Sequence, residues 1–109
     1  MISWNDFEKI DIRSGTIMEA KVLSGLKKPA FQLLIDFGAL GRRKSSAQIT
    51  ARYIPENLIG SQVVAVVNFP VKQIGNFMSE CLVLGVYNEQ NEVILLRPDQ
   101  TVTNGSKIG

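Results

Sequence analysis

From Arg13 to Phe37 the side chains alternate with a period of two, a rhythm that commits this part of the chain to extended strands. Thr16, Met18, Ala20 and Val22 fall on one face and Ile17, Glu19, Lys21 and Leu23 on the other, a long first strand. Gly25-Leu26-Lys27-Lys28-Pro29 has turn chemistry, and Phe31, Leu33, Ile35 and Phe37 alternate with Gln32, Leu34 and Asp36, so a hairpin follows. Gly38 and Gly41 frame a further turn into Arg43-Lys44-Ser45-Ser46-Ala47, a polar third strand that cannot be core on both faces.

Two more β-rich runs, Val63 to Val67 and Leu82-Val83-Leu84, flank a chemically mixed loop that offers Lys72, Gly75, Phe77 and Ser79. A cation, an aromatic ring, a hydroxyl and a flexible glycine suit a ligand-holding loop, although Phe77 and Met78 would serve equally as plugs for the end of a core. The second run is expected to continue through Tyr87 to a turn at Asn88-Glu89-Gln90-Asn91 and a strand from Val93 to Leu96.

Helical signals are short. Ser3 is placed to cap a helix whose first turn carries Asp6, and Trp4, Phe7 and Ile10 form a stripe too short to bury itself; it packs on its own domain or on a second copy. Ile49 to Tyr53 is spaced for a short helix before Pro55, with Pro55 to Gly60 as a helical turn closing at glycine. The tail from Asp99 to Gly109 has turn residues and little apolar content.

About five principal strands with a short helix midway predict an all-β domain with short helices: the five-stranded, partly open Greek-key barrel of the OB type, with N- and C-terminal extensions over residues 1–12 and 99–109. At 109 residues the chain is one domain.

Composition narrows the chemistry. The chain has no histidine and one cysteine, which removes Ser-His and Cys-His nucleophiles, His-based metal sites and an internal disulfide; no catalysis, metal or cofactor is expected. Cys81, in an apolar strand pattern, reads as core filler. With no apolar run near the ~20 residues needed to span a bilayer and no signal-peptide pattern at Met1 to Asp6, membrane insertion is not expected and a cytoplasmic location is.

The net charge of +2 conceals a segregation: residues 37–55 hold Arg42, Arg43, Lys44 and Arg52 and no acid. Such a segment attracts phosphates or an acidic partner, or is a solvated loop. For RNA, Arg42, Arg43, Lys44, Arg52 and Lys72 would meet phosphates, Ser45, Ser46, Gln48 and Ser79 would hydrogen-bond, and Phe77 would stack a base. For a polypeptide, Phe69, Pro70, Ile74, Phe77 and Met78 would line an apolar pocket with a basic rim.

Asp11-Ile12-Arg13-Ser14-Gly15-Thr16-Ile17, Leu34-Ile35-Asp36-Phe37-Gly38, Ser45-Ser46-Ala47-Gln48-Ile49, and Asn68-Phe69-Pro70 with Ser79-Glu80 together resemble the tRNA-binding domain family. Val66 to Pro70, Phe77 to Gly85 and Leu96 to Gln100 are most similar to its CsaA group. The resemblance implies an OB barrel, no catalytic activity and a symmetric homodimer formed through the terminal extensions, which would give Trp4, Phe7 and Ile10 a second burial site. It implies two functions: recognition of tRNA or other structured RNA, and, for CsaA proteins, a chaperone role in export that holds unfolded preproteins and contacts the export ATPase. Ser79 corresponds to the serine of the family's Ser-Glu-Gly-Met motif; Cys81 replaces its glycine and Leu82 its methionine, which is implicated with that serine in RNA contact.

Overall fold

The computed structural model describes residues 1–109. Its elements in chain order are α1 (Trp4–Glu8), β1 (Ile12–Leu23), β2 (Ala30–Asp36), a single 3-10 turn (Gly38–Leu40), β3 (Arg42–Ala47), α2 (Pro55–Leu58), β4 (Gln62–Val66), β5 (Lys72–Ile74), β6 (Phe77–Ser79), β7 (Leu82–Val83), β8 (Gly85–Tyr87) and β9 (Val93–Leu95). Five of the strands form one antiparallel sheet in the order β3-β2-β1-β4-β7. Ile17, Leu33, Ile35, Phe37, Leu58 and Val63 are fully or almost fully buried at its centre.

The sheet curls because β1 contains a β-bulge. Its register to β2 shifts between Ile17 and Glu19, leaving Met18 as the extra residue. A bulge bends a strand and advances the pleat by one position. Ile17 is therefore buried and Ala20, three residues on, packs against the same core, so strict alternation through Met18, Ala20 and Val22 holds only up to the bulge.

The two edges of the curled sheet meet without a regular ladder. The Glu80 N–H donates to the Lys44 carbonyl at 2.8 Å while the Lys44 N–H donates to Glu80 Oε1 at 2.8 Å. Ser46 N–H donates to Ser79 Oγ at 3.0 Å, and Ser45 Oγ donates to the Cys81 carbonyl at 3.0 Å. Side chains thus stitch β3 to the segment before β7, closing an OB-like barrel and satisfying an edge that would otherwise be open.

Three elements differ from the sequence-based expectation. Residues 50–52 form a turn instead of a helix, and only Pro55–Leu58 is helical, ending at Gly60 with φ +88°. Pro55 fits the first helical turn but disfavours helical geometry in the residue before it, so the preceding segment cannot join it. The loop after β4 is a hairpin of β5 and β6 turning at Gly75, which has φ +60°. The strand after it breaks at Leu84, so that β8 pairs with β9 instead of extending β7.

The tail is integral to the fold. Ser14 N–H donates to the Ser106 carbonyl at 2.9 Å, Gly105 N–H to Ser14 at 2.7 Å and Ile108 N–H to Ile12 at 2.9 Å. It lies along the first half of β1, beyond the register of β2, and Gln62 holds it further by exchanging two bonds with the Val102 backbone. At the other terminus α1 has the expected capping box: Asp6 N–H donates to Ser3 Oγ and Ser3 N–H to Asp6 Oδ2, and the bonds that the Ser3 N–H, first, and the Ser3 hydroxyl give the Asp6 carboxylate hold it below its ordinary value. α1 buries none of its residues against its own domain: Trp4 is 86% exposed, Ile10 is exposed and Phe7 is half-buried.

Candidate functional site

β3 carries alternating residues to opposite sides of the sheet, and this sorts the basic segment. Arg42 and Lys44 point outward and are exposed; Arg43, Ser45 and Ala47 point inward. The outer row continues across the sheet, where Arg42 lies opposite Asp36, Lys44 opposite Leu34 and Ser46 opposite Gln32. The β5–β6 hairpin stands beside this row, placing the Phe77 ring with its centroid 5.4 Å from Lys44 Nζ, within cation–π range. Lys72, on β5 opposite Ser79, is exposed.

The ion pairs of the molecule are Lys9–Asp6, Arg13–Asp11 and Arg52–Glu92. Arg42, Lys44 and Lys72 therefore make no ion pair, although Arg42 shares the outer row with Asp36 across from it, and they stand exposed on one side of the barrel. An anion meeting them displaces no internal ion pair.

Several predicted contact residues have other work. Ser45 is 0% exposed and donates to the Cys81 carbonyl, so it is a seam residue of the core and not a surface donor. Arg43 Nη1 donates to the Val67 carbonyl at 2.5 Å from a half-buried position inside the barrel mouth. Ser79 Oγ accepts from Ser46 N–H and lies 3.4 Å from the Cys81 carbonyl, which makes it a stitch in the same seam. Arg52 pairs with Glu92 at 3.7 Å beside the β8–β9 hairpin, apart from the outer row. Gln48 is exposed just past the end of β3, and Leu82 is exposed on β7 opposite Val66. Arg42, Lys44, Ser46, Lys72 and Phe77 are the predicted residues that the fold gathers on the outer row and its flanking hairpin.

The five apolar residues expected to share a pocket are separated by the hairpin. Ile74 and Phe77 pair directly and are half-buried, whereas Met78 pairs with Gln73 one step along and faces the other way, exposed. Phe69 is 54% exposed and Pro70 is exposed, on the connection into β5. Phe77 alone of the five lines a cleft of about 280 Å³ between the β1–β2 turn and the hairpin tip, with Leu23, Ser24, Gln32 and Asn76. Gln32, Ser24 and Asn76 escape a sequence reading because a single polar residue inside an apolar strand and two in turns have no motif. A second concavity, about 620 Å³, lies against α1 and is lined by Ile2, Trp4, Phe7 and the C-terminal Gly109.

Cys81 is buried, and its thiol lies 3.7 Å from the Lys44 carbonyl. Burial pushes this thiol up to about 11 from an ordinary 9.0, with the hydrogen bond to Ser45 and the charge of Arg43 opposing. A thiol so protonated near neutrality is a poor nucleophile. Among His, Cys, Asp and Glu side chains there is no group of three placed to hold a metal. No helix is long and apolar enough to cross a membrane.

Known proteins share this fold. The family described as "Putative tRNA binding domain" matches residues 12–107. The chaperone CsaA from Bacillus anthracis superposes with a TM-score of 0.95 at 50% identity, covering 100% of this chain and 99% of that one. CsaA from Picrophilus torridus gives 0.94 and 50%, with 100% of both chains covered. The methionine–tRNA ligase of Methanothrix thermoacetophila is 36% identical over 109 residues, 99% of this chain. The chain spans only about 16% of that ligase's length and a similar share of the other ligases it matches.

Proposed function

The chain belongs to the tRNA-binding domain family, and from that membership we propose that it is a non-catalytic protein of CsaA type that binds structured RNA, tRNA above all, on the outer row of β2 and β3. The observation that carries this reading is the set of unpaired cations Arg42, Lys44 and Lys72 gathered around Phe77. OB barrels take nucleic acid on this sheet face and between the loops that flank it. Cations there meet phosphates and the aromatic ring stacks a base exposed in a loop. Ser46 and Gln48 add hydrogen-bonding groups at the row's end, and Leu82 adds apolar contact from β7.

The test is anisotropy of labelled bulk tRNA against the protein through a salt series. Binding that weakens with a log–log slope of about −0.7 per phosphate contacted supports the reading. No binding at low salt overturns it.

A second reading is favoured by Phe69, Val71, Met78 and Leu82, which are all exposed. Two of the solved relatives are named chaperones. On this reading the chain holds unfolded preprotein segments for the export ATPase as a cytoplasmic homodimer, with Trp4 and Phe7 of α1 and Ile10 just after it buried between copies. A polypeptide held by apolar contact stays bound as salt rises, so an unfolded preprotein added as competitor separates the two readings.

A further inference from the structure

The cleft between the β1–β2 turn and the hairpin tip has more chemistry than a gap between loops requires. One wall is Phe77, which also carries Lys44 Nζ over its ring. Around it stand the half-buried Gln32 and the exposed Asn76 and Ser24, and none of the three side chains has a hydrogen-bond partner within the protein, so all three are free to meet a ligand. Two free amide groups present donors and acceptors together. The hairpin tip is held in place: Gln73 Nε2 donates to the Gly75 carbonyl at 3.0 Å, and Gly75 lies so close to Leu26 that a Cβ there would sit 3.0 Å from Leu26 Cδ2.

We infer that this cleft is a subsite for one unpaired nucleobase, stacked on Phe77 with its edge hydrogen-bonded by Gln32 and Asn76. The inference rests on the RNA-binding reading and adds to it where a base enters and which side chains read it. The volume fits: about 280 Å³ lies just under the ~300–1,000 Å³ of sites for drug-sized ligands, room for one planar heterocycle. The chemistry fits as well, because single-stranded RNA is recognised by stacking on an aromatic ring and by hydrogen bonds to base edges. Glutamine and asparagine amides match such edges. Lys27 and Lys28 on the adjoining turn and Lys72 on the hairpin stem have no ion pair and can take the phosphates on either side of the base.

The test is a ¹⁵N-edited NMR titration of the full chain with adenosine 5′-monophosphate, with ribose 5-phosphate as the control that lacks a base. Saturable shifts centred on Ser24, Gln32, Gly75, Asn76 and Phe77 with the nucleotide, absent with the sugar phosphate, are the expected result. Gln32→Ala with Asn76→Ala, and separately Phe77→Leu, should weaken the nucleotide by about fivefold or more, the scale on which stacking and edge contacts act. No saturable shift, or equal shifts from both probes, overturns the subsite. Bulk tRNA binding measured in parallel separates the two claims. Nucleotide in the cleft with no tRNA binding refutes the RNA-binding reading alone, and tRNA binding that leaves the cleft amides unmoved refutes the subsite alone.

Discussion

The two sides of β3 are built from nearly the same residue types and do opposite work. Inside, Arg43 and Ser45 spend their polar groups on the Val67 and Cys81 carbonyls and hold the barrel's mouth and seam. Outside, Arg42 and Lys44 have no carboxylate partner and stay exposed, Lys44 resting only over the Phe77 ring. In a strand, the parity of a position decides whether a charge is tied into the fold or left facing solvent; the residue type does not. The contrast can be broken from either side, and the largest effects on stability lie inside.

Ser45→Leu should cost the most, about 3–5 kcal/mol. It forces a larger side chain into a fully buried site and removes the donor to the Cys81 carbonyl. Urea unfolding measures it, and a loss under about 1 kcal/mol, the ordinary scale of a single hydrogen bond, would remove Ser45 from the seam.

Cys81 supplies a pH dependence on the same inner side. Its thiol is raised in the folded protein to about 11 from 9.0, so the folded state favours the neutral form. Below pH 9 the thiol is protonated folded and unfolded, and its contribution is constant. As pH rises from 9 toward 11 the unfolded chain loses the proton first and this stability, ~3 kcal/mol, is lost. Comparing urea midpoints of the protein and Cys81→Ala at pH 8 and pH 10.5 checks it: the gap between the two should narrow at the higher pH.

Arg43→Met keeps the unbranched apolar stem of the side chain and removes the guanidinium with its hydrogen bond, which leaves the Val67 carbonyl without that donor. A loss of about 1.5–3 kcal/mol is expected from a bond with a charged donor, read as a lowered urea midpoint. The affinity of the folded variant for tRNA should be unchanged.

Arg42→Ala with Lys44→Ala reverses the pattern. Both side chains are exposed and unpaired with any carboxylate, so stability should change by less than about 0.5 kcal/mol for each. Binding to tRNA should fall, and most at low salt.

The strands that make the wall of the barrel are legible in the sequence because they obey a period of two and are separated by Gly and Pro. β2 and β3 match the sequence reading within one residue, and the cap at Ser3 and the glycine at Gly60 stand where local chemistry puts them. The bulge at Met18 is not legible, because β1 reads as unbroken alternation and only closure of the sheet demands the extra residue. The tail hides for a related reason: it is held to Ser14, Thr16 and Gln62 by hydrogen bonds, which leave no apolar pattern. In the site, the basic segment is visible as a run of charge, but which of its members faces outward depends on the phase of β3. Ser45 and Arg43 fall on the wrong side of that phase for the surface role expected of them.

The most direct measurement compares the salt dependence of tRNA binding for the unmodified protein, Arg42→Ala with Lys44→Ala, and Arg43→Met. Removing the two outer-row cations proposed to meet phosphates should reduce the magnitude of the log–log slope by about 1.5 in the double variant, while Arg43→Met keeps the slope of the unmodified protein. An unchanged slope in the double variant, or an equal reduction in Arg43→Met, would contradict the assignment of binding to the outer face of β3.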